Sequence, residues 1–152
     1  MKNSLNKSEE FEKYFQLLAN RPDSIFSTMK DLYIISAIIG FMKGYKKPFA
    51  KTAGEPIKLQ YFDQNDKNIM DIIALSENMD LSILTKEREE EKYILIEEYA
   101  NGGMEIIVNN YFNNPLPNIE DLKKIIITFR DEEDFTIKKD LSTLLDDALN
   151  DL

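Results

Sequence analysis

Apolar residues fall at helical spacing along most of the chain, and short polar or Gly/Pro-rich stretches interrupt them. Over 8–20, Phe11, Tyr14, Phe15 and Leu18 share one face of a 3.6-residue repeat. Glu9 and Glu10 stand in the first turn, where the helix dipole favours acids, and Asn20-Arg21-Pro22 ends the segment. The second segment starts at Ser27 or Thr28 and is apolar almost all round: Met29, Leu32, Tyr33, Ile34, Ile35, Ala37, Ile38, Ile39, Phe41 and Met42. Such a helix belongs at the centre of a core, so Ile35, Ile38, Ile39 and Met42 are expected to be buried. Thr28 with Asp31 approximates a capping box, and Lys43-Gly44 supplies a terminal cation and a C′ glycine.

A basic loop follows, Tyr45-Lys46-Lys47-Pro48-Phe49-Ala50-Lys51, then Gly54-Glu55-Pro56 and a strand-like run over 57–62. The pattern predicts a third helix capped by Asn65-Asp66, with Ile69, Met70, Ile72, Ile73 and Leu75 on its face, ending before Met79-Asp80. A turn of helix over 81–84 leads into the charged run 86–92, read as the first turns of a fourth helix whose seam is Tyr93, Ile96, Tyr99 and Ala100. That run is either a solvated face or a surface for a cationic groove. Asn101-Gly102-Gly103 reads as a helix stop with a left-handed glycine, making a tight corner before a further face of Met104, Ile107, Val108, Tyr111 and Phe112. Asn113-Asn114-Pro115-Leu116-Pro117 breaks the chain, and a C-terminal helical pair is predicted over 119–129, capped by Asn118, and 137–149. The β-branched run at 125–129 also suits a strand. The reading is a mainly α, compact multi-helix single domain over 1–152, with at most a short β-hairpin or strand near 57–62.

Composition narrows the chemistry. Neither histidine nor cysteine is present, which removes Ser-His-Asp and Cys-His nucleophilic systems, the usual imidazole base, the common zinc sites and disulfides. Gly102-Gly103 lacks the spacing of a phosphate-binding loop. No catalytic residue, metal site or cofactor is therefore assigned, and the protein is expected not to be an enzyme. No signal peptide or bilayer-length apolar run is visible, so a soluble, cytoplasmic protein without membrane contact is expected. The net charge of −9 is unevenly spread. Residues 1–60 carry 10 Lys/Arg against 6 Asp/Glu, a surplus of +4, and residues 61–152 carry 9 against 22, a deficit of −13. An overall negative charge opposes non-specific nucleic-acid binding. A local basic patch could still meet phosphates or an acidic partner surface. Lys43, Lys46, Lys47 and Lys51, with Tyr45 and Phe49, are the candidate partner- or phosphate-binding residues; Tyr61 and Phe62 flank the same loop. The alternative is an ordinary solvated loop with its aromatics packed onto the core.

Several of these fragments together resemble one family. They are Phe26-x-x-Met29-Lys30-Asp31, Gly40-Phe41-x-x-Gly44, Lys46-Lys47-Pro48, Gly54-Glu55-x-Ile57 and Glu97-Glu98-Tyr99-Ala100-Asn101-Gly102-Gly103. In this order and spacing they are similar to the small DNA phosphorothioation (dnd) system-associated family known as associated protein four. The resemblance covers roughly residues 25–112 and leaves the C-terminal pair unmatched. It implies an accessory member of a bacterial anti-phage defence locus, encoded beside ATPases and nucleases, and no catalytic residues carry over. The implied partner is a larger subunit of the defence complex, an ATPase or nuclease, with any DNA contact indirect. Two rivals remain: an acidic DNA mimic or inhibitor, and a carboxylate–metal nuclease.

Overall fold

The computed structural model describes residues 2–19, 22, 24 and 26–111, with the side chains of 110 and 111 excepted. Its helices are α1 (Glu12–Leu18), α2 (Met29–Met42), α3 (Gln64–Asn78) and α4 (Glu89–Tyr111). Strands β1 (Ser4–Leu5) and β2 (Ile57–Lys58) pair antiparallel, with Ser4 opposite Lys58 and Leu5 opposite Ile57. The fold is mainly α, as the spacing predicts. The predicted C-terminal pair lies outside the described residues.

α2 and α4 form the centre of the fold and share its most extensive contact. The predicted seams of α1 (Phe11, Tyr14, Phe15, Leu18) and α4 (Tyr93, Ile96, Tyr99, Ala100) are all buried. Of the four α2 residues expected to be buried, only Ile39 is; Ile35, Ile38 and Met42 are half-buried. The deepest positions on α2 are instead Leu32, Tyr33, Ser36 and Ala37. Among them Ser36 is small where α4 approaches most closely, with Gly103 against Ser36 and Gly40. Thr28 caps α2 by accepting the Asp31 N–H. Ser36 satisfies its buried hydroxyl on the Leu32 carbonyl one turn back, at 2.8 Å.

Two readings from sequence hold in shorter form, the strand near 57–62 and the helical start over 86–92, and two need correction, the α3 cap and the Asn101-Gly102-Gly103 corner. The strand over 57–62 is two residues long, because the chain turns into a 3-10 helix at Leu59–Tyr61. The α3 cap is Asp63, not Asn65-Asp66: Asp63 accepts the Asp66 N–H, and Asp66 accepts the Asp63 N–H, forming a reciprocal box. The run 86–92 opens with a 3-10 turn, Lys86–Arg88, before α4 begins. The Asn101-Gly102-Gly103 corner does not exist. α4 runs unbroken through it, and Gly44 is the positive-φ glycine among the described residues. These interior glycines cost about 1 kcal/mol each in helix propensity. They are there for their missing side chains: a Cβ on Gly103 would overlap the Ser36 carbonyl and press on the Gly40 nitrogen, and one on Gly40 would overlap the Tyr99 carbonyl.

The N-terminal segment straps across this pair. Its backbone bonds run to the 51–59 stretch: Glu9 N–H to Lys51 O, Ala53 N–H to Lys7 O and Leu59 N–H to Asn3 O. Asn6 is pinned from below, its carbonyl accepting from the Tyr33 hydroxyl and its N–H donating to the buried Glu97 carboxylate. Glu97 also meets Lys2 at 3.1 Å. Burial holds its carboxyl above the ordinary carboxylate range in spite of both contacts.

Candidate functional site

Fragments far apart in sequence converge where the basic loop leaves α2. Gly44 takes φ +61°, a left-handed conformation that favours glycine, and turns the chain back. Gly44 N–H bonds to Phe41 O at 3.1 Å and Tyr45 N–H to Gly40 O at 2.8 Å. The loop then lies along α4. Lys47 N–H donates to Glu98 O at 3.0 Å, and the Asn101 amide nitrogen donates to Lys47 O at 2.9 Å and Pro48 O at 3.4 Å. Gly102 sits directly beneath Tyr45; a Cβ there would overlap the Tyr45 carbonyl oxygen. Asn101, Gly102 and Gly103 thus make one platform. Asn101 clamps the loop, Gly102 admits its backbone, and Gly103 admits α2. The two carbonyl acceptors fix the Asn101 amide orientation, leaving its buried Oδ1 without a hydrogen-bond partner.

Four of the six candidate residues, Tyr45, Lys46, Lys47 and Phe49, are part of this joint. Lys46 pairs with Glu77 at 2.7 Å and lies over the Tyr99 ring at 5.8 Å. Lys47 pairs with Glu10 at 3.1 Å and Glu105 at 3.3 Å, with its ammonium 5.3 Å from the centre of the Phe11 ring. The Tyr45 hydroxyl donates to Glu105, and that bond raises its pKa. Phe49 is half-buried and lies beside Ala100, Asn101 and Met104. Lys43 and Lys51 are exposed at the two ends of the loop. Tyr61 stands out into solvent, whereas Phe62 is core, edge-on to Tyr33. The carboxylates facing these lysines come from the N-terminal segment, α3 and α4, so sequence spacing gives no hint of them.

The electrostatics follow from the pairing. The hydrogen bond to Glu77 raises the Lys46 pKa. For Lys47, partial desolvation pulls down, but the bonds to Glu10 and Glu105 prevail and the net shift is upward. Glu77 is lowered below its ordinary 4.5, first by Lys46 and then by the Tyr99 hydroxyl, which donates to it at 2.6 Å. Glu77 therefore adds stability above the ordinary carboxylate pKa and loses it as pH falls through its lowered folded value. The Lys46 contribution is complete below 10.5 and lost as pH rises through its raised value. Both side chains are about one-third exposed, so the pair contributes less than about 1 kcal/mol. Glu77→Gln is expected to lower the melting temperature slightly between pH 5 and 9, by a gap that narrows as pH falls below 4.5. A gap that does not narrow on acidification would contradict this assignment.

Two shallow grooves of about 480 and 640 Å³ meet at Glu55, Pro56 and Tyr61. The lysines beside the first are already paired: Lys7 with both Glu12 oxygens at 2.9–3.0 Å, and Lys30 with Asp66, Asp63 and Asp31. No cluster of acids suited to a metal ion occurs among the described residues, and no helix there is long and apolar enough to cross a membrane.

In comparison with known proteins, the family described as DNA sulphur modification system-associated protein 4 matches residues 5–144. This range includes the joint and all the fragments that meet in it. No curated protein and no solved structure matches the chain.

Proposed function

We propose that this chain, which belongs to the family of DNA sulphur modification system-associated protein 4, is a non-catalytic, cytoplasmic accessory subunit of a bacterial defence complex and works by binding a larger protein subunit. One observation carries the reading: three of the fragments that resemble the family, over 40–44, 46–48 and 97–103, meet in a packing joint, and Tyr45, Lys46 and Lys47 are paired there with carboxylates. A lysine serving as base or nucleophile needs a depressed pKa. Lys46 and Lys47 are shifted the other way. Histidine and cysteine are absent from the sequence, and neither Lys46 nor Lys47 is set to move a proton or attack a bond at neutral pH.

The same pairing bears on DNA. Lys46 and Lys47 would have to leave Glu77, Glu10 and Glu105 before meeting a phosphate, on a chain of net charge −9. Contact with DNA is therefore assigned to the partner. Co-production of the full chain with the subunits of its DNA sulphur modification system is expected to give co-elution with one of them on gel filtration. The isolated chain is expected not to shift duplex DNA, and Lys46→Ala/Lys47→Ala/Lys51→Ala should not change that. Failure to co-elute with any subunit, or a plasmid-cleaving activity of the purified chain with Mg²⁺ or Mn²⁺, would overturn the proposal.

A further inference from the structure

The α3–α4 corner exposes apolar side chains that nothing in the described fold uses. Met79 is 79% exposed, Leu81 45% and Leu84 36%. Met79 closes α3 at φ +53°, a left-handed conformation in which glycine or asparagine is favoured over a long apolar side chain. Leu81–Leu84 forms a 3-10 turn, in which residues three apart eclipse one another. Leu81 and Leu84 therefore share the outer face, while Ile83, fully buried, anchors the inner one.

The corner is rigidly built and its rim is acidic. Arg88 is turned inward: its guanidinium donates to Ser82 at 2.6 Å, Asn78 at 3.2 Å and Glu91 at 2.8–2.9 Å, and lies 3.6 Å from Asp80. Asp80 also caps the 3-10 turn through the Ser82 N–H and hydroxyl. Residues 80–91 carry five acids, Asp80, Glu87, Glu89, Glu90 and Glu91, against Lys86 and Arg88, so this corner stays net negative with Asp80 and Glu91 paired to Arg88. Ile94, 45% exposed, lies one turn further along α4 from Glu90 and Glu91.

We infer that Met79, Leu81 and Leu84 form a docking surface for a protein partner presenting an apolar anchor inside a basic rim. The inference rests on the accessory-subunit reading and says where on this chain the larger subunit is held. Charge selects the occupant. A second copy docking through this same corner would set acids against acids, and a nucleic acid would meet the same repulsion, whereas Lys or Arg flanking an apolar side chain complements both features. The pre-set turn lowers the ordering cost of binding.

The test uses the full chain co-produced with the subunits of its DNA sulphur modification system. Leu81→Asp/Leu84→Asp is expected to stay folded, since both side chains are exposed, and to lose about tenfold or more in affinity for the co-eluting subunit. Met79→Gly is expected to raise the melting temperature of the isolated chain, by relieving the left-handed strain, and to weaken the same contact. A photo-crosslinking side chain placed at Leu84 is expected to form an adduct with that subunit. Wild-type affinity in the double variant, a lowered melting temperature for Met79→Gly, or adducts only within the chain or between two copies would each overturn the inference alone. Absence of any co-eluting subunit for the unmodified chain would overturn the accessory-subunit reading, and this inference with it.

Discussion

Gly103→Ala is expected to destabilise the protein by about 2 kcal/mol or more, although alanine is the better helix former by about 1 kcal/mol. The two effects oppose one another, and the packing decides which wins. The added Cβ would meet the Ser36 carbonyl carbon and oxygen and the Gly40 nitrogen. All three are backbone atoms, so no change of rotamer relieves the overlap, and α2 and α4 must separate. For a chain of this length each kcal/mol shifts the melting temperature by roughly 2–4 °C, which makes the expected drop measurable by calorimetry. Gly54 provides the contrast. Its Cβ would meet nothing within 4 Å, so Gly54→Ala is expected to be neutral or slightly stabilising. A Gly103→Ala protein as stable as its parent would mean that the helices do not cross this closely.

Asn101→Asp is expected to cost about 2–4 kcal/mol, more than Asn101→Ala. The exchange is nearly isosteric, but it replaces the amide donor with an acceptor facing the Lys47 and Pro48 carbonyls. A side chain 4% exposed cannot turn its new charge to water. Alanine only removes the clamp, and with it the unpaired Oδ1, so its loss is smaller. In both variants the loop should lift from α4, and trypsin should cut faster after Lys46 and Lys51. Equal stability of the aspartate and alanine variants would show that the amide does not hold the loop.

Much of this fold is legible in the spacing of apolar residues, because a seam of Phe11, Tyr14, Phe15 and Leu18, or of Tyr93, Ile96, Tyr99 and Ala100, has only one way to be buried. Glycine is harder to read. The Gly102-Gly103 pair can mark a left-handed stop or a place where a backbone comes close, and local sequence does not separate the two. A signal for the second use is present on the other helix, where Ser36 and Gly40 lie four residues apart on one face, but it has meaning only once α2 and α4 are placed together. Ser4–Leu5 is too short to show any periodicity, so the strap across Ile57 and Lys58 is not predictable from pattern. The basic loop reads as a concentrated positive site because its lysines are adjacent in sequence. Glu10, Glu77 and Glu105, which offset them, are brought in by three other segments. The family fragments are readable as a set, whereas the joint that three of them form becomes visible only in the fold.

The basic loop is a docked part of the α2–α4 joint and not a free basic finger. Residue-resolved amide hydrogen exchange on the isolated chain tests it most directly, at Tyr45 and Lys47, whose N–H groups bond to Gly40 and Glu98. Both amides are expected to exchange far more slowly than an open loop, and to speed up in Asn101→Ala while the α2 amides stay protected. Exchange of both at unstructured rates in the unmodified protein would contradict the account.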